Sequence, residues 1–205
     1  INKIAFTGST QVGKLIQKSL AGRDVGLTLE LGGKAANIVY EDAAIDQAVE
    51  GVVNGIFFNQ GHVCCAGSRL LLQESIHDEF ITKLEKRMQT LRVGNPLDKN
   101  TDIGAVNSKE QLNKIEELVN EGVSDGGKIF QTECELPGNG FWFKPTLFTD
   151  VQPSYSIARE EIFGPVLTTL TFRTPQEAIE IANNTEYGLS AGVWTEKGSK
   201  ILWTA

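Results

Sequence analysis

Short apolar runs and longer amphipathic ones alternate along almost the whole of this chain, and few folds accept that order. Ile4-Ala5-Phe6, Leu27-Thr28-Leu29-Glu30-Leu31, Ala36-Asn37-Ile38-Val39-Tyr40, Leu70-Leu71-Leu72, Lys128-Ile129-Phe130, Val166 to Phe172 and Gly188 to Trp194 each read as a strand, and another follows Lys144-Pro145. Between them, apolar residues recur at helical spacing: Val12, Leu15, Ile16 and Leu20, then Ile45, Val49, Val52, Val53, Ile56 and Phe57, then Ile76, Phe80, Leu84 and Met88. Leu112, Ile115, Leu118 and Val119 mark a further helix, and Ala178, Ile179 and Ala182 the last of this series. Asp42 reads as a helix cap, Ser75 and Ser108 as helix starts, Pro175 as a first-turn proline, and Gly94-Asn95-Pro96 and Gly122 as stops. Gly138-Asn139-Gly140 reads as a turn into an aromatic stretch, Phe141-Trp142-Phe143, suited to core packing. Parallel strands need crossover helices, so this alternation predicts an α/β fold around a mostly parallel sheet. No internal repeat or linker interrupts it.

The chemistry concentrates where one helical pattern stops. Phe57-Phe58-Asn59-Gln60-Gly61-His62-Val63-Cys64-Cys65-Ala66-Gly67-Ser68-Arg69 runs from an apolar helix into a glycine turn with two adjacent thiols. A thiol becomes a nucleophile as thiolate, which requires exposure and nearby donors or positive charge. Gly61 and Gly67 allow the backbone to approach a reacting carbonyl. A free cysteine also serves as a small buried hydrophobe, and spacing alone leaves both that role and the choice between Cys64 and Cys65 open.

Near the N-terminus, Thr7-Gly8-Ser9-Thr10 turns a strand into a helix, an arrangement that presents backbone donors to an anion. Gly8-x-x-x-x-Gly13-Lys14 falls one residue short of a P-loop: Leu15 stands where the magnesium-binding hydroxyl belongs, which argues against an NTPase. The dinucleotide fingerprint is unmatched too, because Ser9 and Thr10 occupy the place of its second glycine. A Ser-capped helix with no ligand fits these residues equally well. Glu30 closes an apolar strand, either as a general base or as an outward-facing edge residue. Glu160-Glu161-Ile162-Phe163-Gly164-Pro165 places two acids before an aromatic and a Gly-Pro turn.

Composition narrows the possibilities. The net charge of -7 argues against nucleic acid or an anionic membrane as partner, since both reward clustered Lys and Arg. Three cysteines, two of them adjacent, make a poor disulfide framework and fit a reducing compartment, so a cytoplasmic location is expected, with a mitochondrial one left open. His62 and His77 have no metal-ligating neighbours at useful spacing, so no metal site is expected. The chain starts at Ile1 and ends at Ala205 within a helix-like pattern, and is expected to be a piece of something longer.

Four stretches together, Phe6-Thr7-Gly8-Ser9-Thr10-x-x-Gly13, Leu29-Glu30-Leu31-Gly32-Gly33-Lys34, Phe58-Asn59-Gln60-Gly61-x-x-Cys64-x-Ala66-Gly67-Ser68-Arg69 and Glu160-Glu161-Ile162-Phe163-Gly164-Pro165, resemble the aldehyde dehydrogenase superfamily in order and spacing. The resemblance covers essentially the whole chain. It implies residues 1–31 as the trailing part of a Rossmann-type NAD(P)-binding domain and residues 32–205 as a catalytic domain truncated at its C-terminal end. It implies Cys64 as nucleophile, with Cys65 as a neighbour, and Glu30 as the base that activates water. Glu161 would hold the nicotinamide ribose and Phe163 would touch the nicotinamide side. Gly8, Ser9 and Gly13 would lie at the pyrophosphate and nicotinamide end of NAD or NADP, with Leu31 and Gly32 also on the cofactor side. The implied partners are a small aldehyde and further copies of the full-length chain, as a dimer or tetramer, and the implied reaction is oxidation to a carboxylic acid through a thioester. His62 stands where relatives often carry Gln. Leu-Ala-Gly-Arg at 20–23 and Leu-Gln-Glu-Ser at 72–75 resemble the class 16 branch, some of whose members lack the cysteine. A cofactor-independent thioester hydrolase and a non-catalytic scaffold are the competing expectations, and the piece alone is expected to be inactive.

Overall fold

The computed structural model describes residues 1–205. Two sheets are present. β1 (Lys3–Thr7) and β2 (Gly26–Glu30) pair in parallel, with α1 (Thr10–Leu20) as their crossover. The six-stranded sheet has the order β5-β6-β7-β4-β3-β8, from β3 (Ala36–Val39), β4 (Arg69–Gln73), β5 (Lys128–Gln131), β6 (Thr146–Thr149), β7 (Val166–Phe172) and β8 (Ala191–Trp194). Every pairing in it is parallel except β5 with β6, where a hairpin turns back at the edge. The predicted α/β class with a mostly parallel sheet is therefore what the chain forms.

β4 lies between β3 and β7, and its leucines are fully buried on both faces. Alternation along the strand decides which neighbour each meets. Leu70 and Leu72 face α2 (Ile45–Phe57) and α3 (His77–Met88), packing with Val52, Ile56, Phe80, Leu84 and Met88. Leu71 points the other way, toward Ile38, Leu170, Phe172 and Ala178 of α6 (Pro175–Asn183). A third core joins α4 (Lys109–Ser124) and α5 (Ser156–Arg159) to Phe148 and Val166. α7 (Gly198–Thr204) follows β8.

Helix starts are partly as read. Ser108 caps α4, its Oγ accepting from the Gln111 N–H at 3.1 Å. Three expectations fail locally. Asp42 does not cap α2, which starts at Ile45 after Ala44 with no side-chain cap. Its carboxylate instead accepts from Thr195 Oγ1, just past β8, and from Lys200 Nζ in the helix that follows, each at 2.9 Å. Ser75 lies within a 3-10 turn, Glu74–Ile76, ahead of α3. Gly122 is buried inside α4 against Ile157, and the helix runs on to Ser124; the glycine with left-handed backbone is Gly126, at φ 105°. No helix is long and apolar enough to cross a membrane.

Candidate active site

The thiol loop is built on a run of left-handed backbone. After α2, a 3-10 turn spans Phe58–Gly61, with φ of 50° at Asn59, 49° at Gln60 and 75° at Gly61. Such angles are costly for a residue with a Cβ and persist only where the surroundings hold them. Here the His62 N–H donates to the Asn59 carbonyl at 3.0 Å and Asn59 Nδ2 to the His62 carbonyl at 3.2 Å. Gly61 needs its hydrogen for a second reason, since a Cβ there would strike the Gly164 carbonyl. Cys64 then emerges half-buried and Cys65 exposed, both as free thiols. The backbone N–H groups of Val63, Cys64 and Cys65 have no acceptor within the chain.

Three segments close around this loop. The backbone of Gly33 lies against the Cys64 carbonyl, closely enough that a Cβ on Gly33 would collide with it. Glu161 reaches the same turn, its Oε1 accepting from the Gly33 N–H at 3.0 Å. Phe163, itself left-handed at φ 54°, places its ring 5.0 Å from that of His62. The packed junction leaves a cavity of only about 10 Å³. On the Cys65 side, where Ser190 Oγ donates to the Cys65 carbonyl at 3.2 Å, a cleft of about 230 Å³ opens beside Lys34, Arg69 and Tyr187.

The residues singled out in the sequence are thus partly assembled. Cys64, Gly32, Gly33, Glu161 and Phe163 meet at one junction. Gly13 is buried against the Leu31 side chain, which joins α1 to the same turn. Gly8 donates its N–H to the Glu30 carbonyl at 3.0 Å. The Ser9 hydroxyl caps α1, accepting from the Val12 N–H at 3.3 Å, so the plain helix cap is present. Glu30 is exposed, because the alternation of β2 turns it with Thr28 to the open face. Its carboxylate faces outward rather than being buried in the strand, a position open to water. Its main chain is three residues from Gly33, a span of at most about 10 Å.

Two further residues at the junction, Gln111 and Lys114, carried no signal in the sequence. Gln111 Nε2 donates to the carbonyls of Ile162 and Phe163, at 2.8 and 3.0 Å, and Lys114 Nζ to that of Glu161 at 2.9 Å. Both lie on α4 beside its apolar stripe and read as solvated helix positions; only their three-residue spacing hints at a shared face. Arg69 is buried, with Nε on the Lys34 carbonyl at 2.8 Å and its terminal nitrogens on the carbonyls of Ile181 and Ala182. Burial lowers its pKa to about 10. Tyr187 is shifted up by burial and then by the Glu161 and Glu160 charges. No group of three metal-ligating side chains exists.

Comparison with known proteins fits this geometry. The profile of the Aldehyde dehydrogenase family matches residues 1–205. Retinal dehydrogenase 2 of Taeniopygia guttata and that of Homo sapiens are each 49% identical over 98% of this chain. The chain spans 39% of the length of these relatives. The crystal structure of an NAD-dependent aldehyde dehydrogenase from Sinorhizobium meliloti superposes with a TM-score of 0.96 at 41% identity, covering 100% of this chain and 41% of that one. A Staphylococcus aureus betaine aldehyde dehydrogenase solved with NAD+ gives 0.94 at 38%, covering 100% and 41%. With the family profile matched from end to end and the fold shared at this identity, the chain belongs to the aldehyde dehydrogenase family.

Proposed function

We propose that the protein to which these residues belong oxidises an aldehyde to a carboxylic acid with NAD or NADP, using Cys64 as nucleophile. The observation that carries this reading is the thiol loop itself: a half-buried thiol beside three unpaired N–H donors, braced by Gly33 and the Glu161–Gly164 segment. Cys64 Sγ attacks the aldehyde carbon, and the N–H of Cys64 is placed on the same loop to stabilise the oxyanion. Collapse of that adduct with loss of hydride from the former aldehyde carbon leaves an acyl group on Cys64 as a thioester. Glu30, exposed at the end of β2, takes a proton from the water that hydrolyses it.

The residues present suit a dinucleotide. At the start of α1 the N–H groups of Ser9, Thr10 and Gln11 have no acceptor in the chain, and the buried Thr10 Oγ1 has no partner. A phosphate fits such a helix start. Glu161 retains lone pairs for the ribose hydroxyls, and Phe163 offers the nicotinamide side an aromatic face. Bound there, the oxidised nicotinamide supplies the acceptor for the two electrons leaving the aldehyde carbon. A chain of these 205 residues alone is expected to turn over little, since only one strand-helix-strand unit, β1 to β2, is available on the cofactor side.

The test is on the full-length protein, mixed with a simple aldehyde and NAD or NADP, with reduced cofactor followed by absorbance. Cys64→Ala is expected to lower turnover by roughly a thousandfold or more. Glu30→Gln is expected to keep a first-turnover burst and lose the sustained rate. Undiminished activity in Cys64→Ala would remove the nucleophile assignment, and a normal steady state in Glu30→Gln would remove the base.

A further inference from the structure

His62 bonds within its own turn and touches two further segments, at Asn107 and Phe163. Its Nδ1 lies 3.2 Å from the Gln60 carbonyl, which has no proton to give, so Nδ1 is the donor and the neutral ring is the Nδ1–H tautomer. Nε2 is then the acceptor facing the Asn107 N–H at 3.5 Å, just ahead of α4. The same nitrogen lies 3.4 Å from the Asn107 side-chain amide oxygen, a contact satisfied when that amide is turned to present its NH2. The ring packs against that of Phe163 in a tilted arrangement, with centroids 5.0 Å apart and planes at 44°.

Phe163 needs such support. Its backbone is left-handed, at φ 54°, and its chain neighbours are held from outside: the Ile162 and Phe163 carbonyls by Gln111, the following Gly164 by close packing on Gly61. Main-chain bonds of this kind fix the backbone and leave the aromatic ring free to rotate. His62 is the aromatic neighbour that packs on the Phe163 ring. The left-handed turn at Asn59, Gln60 and Gly61 aims it there.

We propose that His62 is a positioning residue for the cofactor: its ring braces Phe163, and so sets the aromatic surface on which the nicotinamide side packs. The inference rests on the dehydrogenase reading above and adds to it a residue that acts through Phe163 rather than on the reacting atoms. The contact is between two aromatic rings, so an aromatic side chain without ring nitrogens replaces His62, whereas a hydrogen-bonding side chain without a ring does not.

The experiment compares full-length wild type with His62→Ala, His62→Phe and His62→Gln. NAD and NADP dissociation constants are measured by calorimetry, alongside cofactor KM, kcat at saturating cofactor, the rate of Cys64 alkylation by iodoacetamide without cofactor, and thermal melting. His62→Ala and His62→Gln are expected to bind the dinucleotide roughly three- to tenfold more weakly, and His62→Phe within about twofold of wild type. KM is expected to follow binding, while kcat and the alkylation rate stay within about twofold. Wild-type affinity in His62→Ala would overturn the proposal and leave the dehydrogenase reading standing. So would a His62→Gln that binds like wild type, or a His62→Phe as weak as His62→Ala, since each assigns the effect to hydrogen bonding. A wild type that binds neither dinucleotide would overturn both.

Discussion

Lys34 carries a charge-bearing group into the interior at a cost. It is 1% exposed, and its Nζ finds no hydrogen-bond partner. Burial first, and then the charge of Arg69, lowers its pKa to about 7, against the opposing pull of Glu161 and Glu160. A lysine in the unfolded chain keeps its proton to about pH 10.4. Between about pH 7 and 10, therefore, the unfolded state binds a proton that the folded state does not, and stability rises with pH, by at most about 1.4 kcal/mol per unit. Below pH 7 both states are protonated and the folded one carries the full desolvation cost. Lys34→Met keeps most of the aliphatic volume, and the Lys34 carbonyl that holds Arg69 Nε belongs to the backbone. The variant is expected to be more stable than wild type at pH 6 in urea denaturation, with the difference shrinking toward pH 10. Parallel pH curves for the two proteins would show that the ammonium finds compensation in solution.

Among the helices, α7 alone has no buried residue, with Leu202 83% and Trp203 55% exposed. Its attachment is polar: Lys200 Nζ bonds Asp42 at 2.9 Å and sits 4.5 Å over the Tyr40 ring, and Thr204 Oγ1 lies 3.0 Å from the Tyr40 hydroxyl. Burial alone would raise the pKa of Asp42, but the hydrogen bonds from Lys200 and Thr195 outweigh it and hold it below the usual carboxylate range. A carboxylate depressed in the folded state contributes stability above its ordinary pKa and loses it as pH falls through the folded value. Asp42→Asn is expected to lower global stability by about 1 kcal/mol or less, since the pair is partly solvated. Its larger expected effect is local, as faster amide exchange across residues 198–204. Unchanged exchange there would mean that Tyr40 and Thr204 suffice.

At the scale of the whole molecule, periodicity made the six-stranded sheet legible, because buried leucines such as those of β4 can be satisfied only between two helical layers. The thiol loop was legible by composition, while its braces were not: Gln111 and Lys114 act through backbone carbonyls some fifty residues away, and no local pattern records that. Asp42 misled for a related reason, having a stronger partner across the fold than the helix beside it. The same contrast between local and long-range support divides the molecule energetically. β1 and β2 pair only with each other, every second residue of each is exposed, and Leu15 of their crossover helix is 62% exposed. A two-stranded sheet with one open face and the other only half-buried is marginal, whereas β4 and β7 are buried in a six-stranded one. In the 205-residue chain, amides of Lys3–Thr7 and Gly26–Glu30 are therefore expected to exchange orders of magnitude faster than those of Arg69–Gln73 and Val166–Phe172, as read by mass spectrometry. Dinucleotide binding that slowed exchange at Gly8–Gly13 and Leu31–Gly33 together would couple the two sheets through the contact of Gly13 with Leu31. Equal protection of both sheets in the free chain would show instead that the β1 to β2 unit is stabilised by contacts other than those its strands and helix make.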